Sequence, residues 1–272
     1  MLGYLLLSAA LGVSAESRSL QPGELVVLTI EAPSETKVRV RAFEREVTPF
    51  PVDKRHWRAL IGIDLATTPG SYTVRVDADT GREHTVYTLV VKPRKFPTRR
   101  LSVDPDFVTP PASALDRINR ETALLNEVFA DSSPTRLWES AFVRPVPDPA
   151  NSAFGTRSIF NGTPRNAHSG ADFLSRAGVS IRAPNAGRVV IARDLYFSGN
   201  TVVIDHGLGV FSTLAHMSAF DVREGERVTA GQIVGRVGAT GRVTGPHLHW
   251  AVRVNGARVD PLSLLALLGE KP

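Results

Sequence analysis

The sequence GATGRVTGPHLHW, residues 238–250, places two histidines two positions apart where the chain enters an apolar strand. Alternate residues of a β-strand point to the same face, so His247 and His249 share one face while Leu248 points into the core. Two charged imidazoles this close would repel each other, which favours neutral rings suited to metal binding or proton transfer. The stretch therefore predicts a sheet that carries a functional site on one face.

A second group of candidate ligands lies in HSGAD, residues 168–172, where a glycine-bearing segment leads into a strand. Zinc accepts histidine nitrogen and aspartate oxygen at about 2.0–2.2 Å, so His168 and Asp172 can reach one ion across this short spacer. A catalytic zinc takes three protein ligands and keeps a fourth position for water. His168, Asp172 and one of His247 and His249 would complete that set.

Two other histidines flank a predicted strand at residues 210–214. His206 precedes the strand, beside a turn shaped by Gly207 and Gly209, and we interpret it as structural. His216 emerges at the end of the strand, where it could act on the water or the substrate carbonyl as a base or a transition-state stabiliser. The chain has no cysteine, so a metal site must use His, Asp or Glu.

The remaining sequence predicts a mainly β protein of two parts. Short alternating strands such as KVRVR at 37–41 indicate a small antiparallel, immunoglobulin-like β-sandwich over residues 16–95. Residues 96–141 form a proline-rich linker and a helical connector, in which apolar residues recur at three- and four-residue steps, and a second short helix is expected at Leu137 and Trp138. Short strands return over residues 142–272, and a helical cap closes the chain.

The N-terminus and the charge favour an exported protein. Residues 1–15 contain an apolar run that ends on small residues after Val13, as in a secretory signal cleaved after Ala15. The run is shorter than the roughly 20 residues that span a bilayer, and the alternatives are a first strand or an N-terminal anchor. The formal net charge of +5 favours polyanionic surroundings such as nucleic acid, anionic lipid or an acidic cell wall, and of these nucleic acid is the weakest choice because the sequence shows no nucleic-acid-binding module. We expect a periplasmic or exported monomer without an integral membrane segment or a nucleic-acid partner.

Two motifs give the chain a family resemblance. FNGTPRNAHSGADF, residues 160–173, resembles the first zinc motif of the lysostaphin (LytM-type) metallopeptidases that cleave peptidoglycan peptides, and residues 238–250 resemble their second motif. DHG at 205–207 and LAHMS at 214–218 are similar to the middle strand of that family. The sandwich and helical connector also resemble the N-terminal region of Gram-negative members.

The resemblance implies a site and an activity. It makes His168, Asp172 and His249 the ligands of one Zn²⁺ per chain, and His216 and His247 the catalytic histidines that orient water and stabilise the oxyanion. The implied fold is an antiparallel β-sheet zinc peptidase domain with a groove over the sheet. The implied function is a zinc-dependent endopeptidase that hydrolyses cross-links or stem peptides of peptidoglycan, with a regulatory protein partner at the N-terminal region. The family often has a tyrosine where this chain has Leu214.

Two alternatives were weighed against this interpretation. A catalytically inactive regulator of wall hydrolases would share the fold and use its groove to bind protein, but all five expected metal and catalytic positions are filled. APNAGRV at 183–189 and VTAGQ at 228–232 resemble the halves of a biotin or lipoyl carrier. Such carriers need a lysine at a hairpin tip, and the chain has none between Lys95 and Lys271. The sequence therefore excludes the carrier.

Overall fold

The computed structural model describes residues 11–78, 83–102, 109–150 and 154–270. Within them the protein is mainly β, as predicted, with antiparallel sheets in both halves of the chain. No helix in these ranges combines the length and the apolar character needed to cross a bilayer.

The N-terminal part is a sandwich of two four-stranded antiparallel sheets, ordered β1-β2-β6-β5 and β4-β3-β7-β8. Its strands are β1 (Gly12–Glu16), β2 (Leu25–Glu31), β3 (Val38–Ala42), β4 (Arg45–Val47), β5 (Phe50–Pro51), β6 (His56–Gly62), β7 (Gly70–Ala78) and β8 (Glu83–Val91). In β3 the valines are buried and the arginines exposed, which is the predicted period-two pattern. The apolar residues of both sheets form one cluster between them.

Strand β1 falls within the predicted signal segment. It pairs antiparallel with β2 over its full length, so the predicted cleavage point after Ala15 lies inside a strand of the sandwich. Residues 1–10 lie outside the described residues, as do residues 79–82 at the turn between β7 and β8. The signal segment therefore stays a prediction, and the alternative of a first strand is seen for residues 12–16.

The sandwich packs directly against the C-terminal part. Side chains of β2 point alternately to two cores: Val26 and Leu28 lie between the two sheets, whereas Leu25 and Val27 join the C-terminal cluster. Arg258 of the C-terminal part hydrogen-bonds Asp64 at 2.6 Å. Burial disfavours the charged carboxylate, yet the hydrogen bonds from Arg258 lower the pKa of Asp64 to about 2. The two parts are thus held by a shared apolar core and a partly buried ion pair.

The predicted linker contains a strand. Strand β9 (Thr98–Leu101) pairs parallel with β10 (Arg157–Phe160), and β11 (Thr163–Pro164) completes a small sheet. This pairing joins residues about 60 positions apart, as Thr98 with Arg157, so no local pattern marks it. All four β9 residues are exposed, so this part of the predicted linker lies on the surface as a paired strand.

The helical connector forms as predicted, as α1 (Leu115–Ala130), preceded by a short 3-10 helix over Ala112–Ala114. The second short helix expected at Leu137 and Trp138 is wrong. These residues have no regular secondary structure: the Leu137 N–H donates to the His206 carbonyl at 2.9 Å, and Trp138 is buried edge-on against Phe50.

The C-terminal part is built on a nine-stranded sheet with the order β12-β19-β16-β15-β14-β17, in which β13, β18 and β20 pair beside this path. The strands are β12 (Gly170–Phe173), β13 (Ser180–Arg182), β14 (Gly187–Leu195), β15 (Gly199–Gly207), β16 (Val210–Phe220), β17 (Arg227–Val228), β18 (Ile233–Val237), β19 (Leu248–Val254) and β20 (Ala257–Val259), followed by α2 (Pro261–Leu268). The Asp260 side chain caps α2 by accepting from the Leu262 N–H.

The two faces of this sheet differ. In β19 the residues Leu248, Trp250, Val252 and Val254 enter the main core, so His249, Ala251 and Arg253 lie on the opposite face. Helix α1 covers part of that opposite face. There Phe129 packs edge-to-face against Phe211, and the Arg253 guanidinium lies over the Phe129 ring. The face that carries His249 therefore also carries the helical connector.

His206 is fully buried in the sheet, in keeping with the structural role inferred for it. Its Nδ1 bonds the Ala186 carbonyl at 2.8 Å, and its Nε2 bonds the Ser212 hydroxyl at 2.9 Å. Burial lowers the pKa of His206 to about 4 from 6.5, against the opposing effects of the Ala186 carbonyl and Asp205. The folded protein therefore keeps this ring neutral where the unfolded chain would protonate it.

This burial predicts an acid-sensitive stability. Because the unfolded ring takes up its proton near pH 6.5 and the folded ring only near pH 4, stability is full above pH 6.5 and falls through this window. The loss is about 3 kcal/mol by pH 4. We expect denaturant unfolding of His206→Asn, compared with the parent protein at pH 7 and pH 4, to show a pH dependence smaller by that amount. Equal pH dependence in the two proteins would contradict the buried neutral ring.

Candidate metal centre

Three neighbouring elements bring His168, Asp172 and His249 together. Asp172 on β12 pairs directly opposite His249 on β19. His168 lies in the segment before β12, where its backbone N–H donates to the Thr156 carbonyl at 2.9 Å. A side chain at Gly170 would collide with the His249 ring and the Trp250 carbonyl, so the glycine of the HSGAD motif is what allows the close approach.

The three donor atoms are spaced for a single ion. His168 Nε2 lies 3.0 Å from Asp172 Oδ1 and 3.1 Å from His249 Nδ1. Asp172 Oδ1 and His249 Nδ1 are 2.8 Å apart. Donors at about 2.0–2.1 Å from a tetrahedral zinc stand roughly 3.3 Å from one another. The set therefore fits zinc with a small outward movement of each side chain. All three side chains stay 18–21% exposed, so the cluster is open to solvent.

The electrostatics of the cluster suit a cation. Burial disfavours the charged form of Asp172, yet hydrogen bonds from His168 and His249 hold its pKa well below the usual range. Burial lowers the pKa of His249, although its hydrogen bond with Asp172 opposes this shift. At neutral pH the set therefore contains an ionised carboxylate and a neutral His249, which are the protonation states that a metal requires.

His216 lies beside this cluster, where β16 stops pairing with β19 and begins to pair with β18. Its Nδ1 is 3.0 Å from the Thr240 carbonyl, which can only accept, so Nδ1 carries the proton and Nε2 does not. Burial, together with the neighbouring His249 and His247, lowers the pKa of His216 to about 4, although the Thr240 carbonyl and Asp172 act in the opposite direction. His216 is thus a neutral imidazole with a fixed tautomer.

His247 has a similar arrangement on the other side of the cluster. Its Nδ1 is 2.9 Å from the Gly245 carbonyl, which again places the proton on Nδ1. Its Nε2 lies 4.0 Å from Asp172 Oδ1, and its ring centroid is 4.7 Å from that of His216. Two imidazoles, each with Nδ1 bonded to a backbone carbonyl, therefore flank the donor set, and this arrangement suits proton transfer beside a metal.

The structure brings all five predicted site residues into one cluster and keeps the remaining histidines, His56, His84 and His206, out of it. Leu214, where the family often has a tyrosine, is fully buried on the core face of β16, where it pairs with Trp250. The departure from the family's tyrosine therefore leaves the metal face of the sheet unchanged.

Sequence reasoning missed the contacts that hold His216. The Thr240 hydroxyl accepts from the Asn200 N–H at 2.9 Å and donates to the Met217 carbonyl at 2.8 Å, while the Thr240 carbonyl holds the His216 ring. Gly199 and Gly241 touch so closely that a side chain on either would collide with the other's backbone. The glycines around Thr240 were visible in the sequence, but the strands they approach were not.

Comparisons with known proteins agree with this geometry. Peptidase family M23 matches residues 166–261, a range that includes all five site positions. A Neisseria meningitidis serogroup B protein, DD-carboxypeptidase/endopeptidase Mpg, is 42% identical over 97 residues, which are 36% of this chain and 22% of that protein. Peptidoglycan DD-endopeptidase ShyA of Vibrio cholerae is 39% identical over 113 residues, 41% of this chain and 26% of its own length. The chain thus matches about a quarter or less of these curated relatives.

A solved structure extends the likeness to both parts of the chain. A crystal structure from Pseudomonas aeruginosa, assigned to peptidase M23, has a TM-score of 0.71 and 34% sequence identity to this chain. The match covers 91% of this chain and 95% of that one, so it includes the sandwich and the connector as well as the sheet with the histidines.

Proposed function

The chain belongs to peptidase family M23, and from that premise we propose that it is a zinc-dependent endopeptidase that hydrolyses cross-links or stem peptides of bacterial peptidoglycan. The observation that carries the proposal is the cluster of His168, Asp172 and His249, with His216 and His247 beside it. A relative named as a peptidoglycan DD-endopeptidase supports the substrate class.

One zinc ion would be held by His168 Nε2, Asp172 Oδ1 and His249 Nδ1. Bound there, it would supply a nucleophile at neutral pH from water and polarise the scissile carbonyl. Asp172 as a carboxylate and His249 as a neutral imidazole could each bind the ion without first releasing a proton. The open groove side of the cluster leaves room for the substrate carbonyl.

His216 and His247 would manage the proton. The Thr240 and Gly245 carbonyls keep the protons on the Nδ1 atoms, so each Nε2 is the atom that can accept a proton during attack. Once protonated, the same Nε2–H donates to the developing oxyanion or to the leaving amine. Because burial disfavours the imidazolium form of His216, the proton it accepts is passed on readily.

The peptidoglycan mesh lies outside the cytoplasm, so the proposal includes export through the N-terminal segment, to the periplasm or beyond. The net charge of +5 favours contact with an anionic wall. The N-terminal sandwich is the surface on which a regulatory protein partner would act.

Digestion of purified sacculi tests the function. The purified protein is expected to release shortened or uncross-linked peptides, identified by mass analysis, and to release none after treatment with a chelator. The competing function, an inactive regulator, predicts no release by this protein alone and more release when another wall hydrolase is added. Release that continues unchanged in the chelator would contradict a metallopeptidase.

A further inference from the structure

Helix α1 is attached lightly to the sheet face that carries the candidate site. None of its residues is fully buried, and its apolar contacts with the sheet are confined to its C-terminal half, at Leu124, Leu125, Val128 and Phe129. The N-terminal half of α1 is held instead by polar contacts. Such a helix could serve only to cover apolar surface. Its polar contacts, however, join it to a loop that also contacts His216.

Those polar contacts converge on the turn between β14 and β15, residues 196–198, which we name the 196–198 loop. Glu121 Oε2 accepts the Tyr196 backbone N–H at 2.7 Å, although the helix and the loop are 75 residues apart. Arg117 fixes this carboxylate from the preceding turn of α1 and also bonds Asp194 at 2.8 Å. The Glu121 side chain is only 17% exposed, so water competes weakly for its oxygens.

Each of the three loop residues makes one backbone contact with a different element. Tyr196 donates to Glu121 of α1, the Phe197 carbonyl accepts from the Arg242 N–H at 3.0 Å, and the Ser198 carbonyl accepts from the His216 N–H at 2.9 Å. The 196–198 loop therefore contacts helix α1 through Tyr196 and the backbone of His216 through Ser198, two residues later.

The backbone of His216 needs such support. Its φ of 65° lies in the left-handed region, which is unfavourable for a residue with a side chain. A strained conformation of this kind persists only where surrounding contacts over-determine it. The Ser198 carbonyl at the backbone and the Thr240 carbonyl at the ring are those contacts. If the loop shifts, the backbone can relax and move Nε2 away from the metal cluster.

We propose that Glu121 is a positioning residue for His216, acting through the 196–198 loop, so that the helical connector completes the catalytic arrangement. This inference rests on the proposed peptidase function and gives the connector a part in it. Glu121 touches neither the donor set nor the groove, so its effect should appear in turnover and leave metal binding unchanged.

The test compares two glutamates of one helix. Glu121→Ala in the zinc-loaded full chain should lower kcat by about 10-fold or more, with zinc content and KM for a soluble stem peptide little changed, because small misplacements of a catalytic group are costly. Glu121→Gln keeps an oxygen for the Tyr196 N–H and should restore most of the rate. The matched control is Glu127→Ala, an exposed position on the same helix, which should have no effect. Equal losses in both alanine variants would overturn the proposal.

Two further measurements separate positioning from general destabilisation. In a His216→Ala background, Glu121→Ala should cause no further loss, whereas multiplied losses would overturn the proposal. Histidine-ring NMR of the zinc-loaded protein should show that Glu121→Ala shifts the His216 signals and Glu127→Ala does not. This readout does not depend on activity. If the His216 signals shift in a protein that cleaves no peptide, the peptidase function is refuted and the positioning role of Glu121 stands. If the signals do not shift in an active protein, the positioning role is refuted and the peptidase function stands.

Discussion

Replacing His249 by alanine is expected to abolish zinc binding and peptide hydrolysis together. The change leaves His168 and Asp172 as two donors, too few for a catalytic zinc site with three protein ligands. It also removes the side chain that lies 2.8 Å from Asp172 Oδ1 and helps to keep that carboxylate ionised. The fall in metal affinity should exceed the roughly 10–100-fold that loss of an outer hydrogen-bond partner causes.

The measurement is the zinc content of the dialysed protein beside its rate of peptide release. His84→Ala is a suitable control, because this histidine is exposed on β8 of the sandwich, outside the cluster. It should keep one zinc per chain and the full rate. Circular dichroism of both variants should match the parent protein, since His249 lies on the open face of the sheet. A His249→Ala variant that kept its zinc and its activity would show that the ion is held elsewhere.

Replacing His216 by alanine is expected to lower the rate of peptide hydrolysis and to leave zinc bound. Zinc should stay bound at one per chain, because His216 is not among the three residues whose donor atoms converge. The rate should fall by about 10²–10⁴-fold, the usual cost of a lost acid–base group. The loss should appear in kcat, since the ring acts on the proton and the developing charge rather than on the bound ground state.

Zinc analysis and steady-state kinetics on one soluble peptide check this second result. His206→Asn serves as the control, because His206 is a buried histidine on the adjacent strand β15 with its nitrogens occupied by Ala186 and Ser212. At neutral pH it should leave kcat unchanged. If His216→Ala loses zinc, His216 is a ligand, and if it keeps the full rate, His216 has no part in proton transfer.

Each half of the site was predictable from sequence because its geometry is local, whereas the choice of His249 as the third ligand and the roles of His216 and His247 followed from the family resemblance. Period-two alternation put His247 and His249 on one face, and the short spacing in HSGAD put His168 near Asp172. The structure adds the pairing of β12 with β19, which places Asp172 opposite His249. Helix α1 and the strands predicted from the sequence were likewise identified by the periodicity of apolar residues over short stretches of the chain.

What sequence could not give depends on contacts between distant residues. The parallel pairing of β9 with β10 and the hydrogen bond from Tyr196 to Glu121 join segments about 60 and 75 residues apart. Neither has a local signature. The two faces of β16 were also ambiguous, because Leu214 is apolar in an apolar run, and only its pairing with Trp250 shows that it faces the core. The expected second helix failed for the same reason, since the Leu137 N–H bonds the distant His206 carbonyl instead of a carbonyl one turn earlier in the chain.

If one zinc ion held by His168, Asp172 and His249 makes this chain a peptidase, titration of the metal-free protein with zinc should restore peptide release from sacculi. Activity should rise linearly from background and level off at one equivalent of zinc per chain. In the same titration of His249→Ala, activity should stay at background throughout. Full activity in the metal-free protein, or the same rise in His249→Ala, would show that this ion is not what makes the chain active.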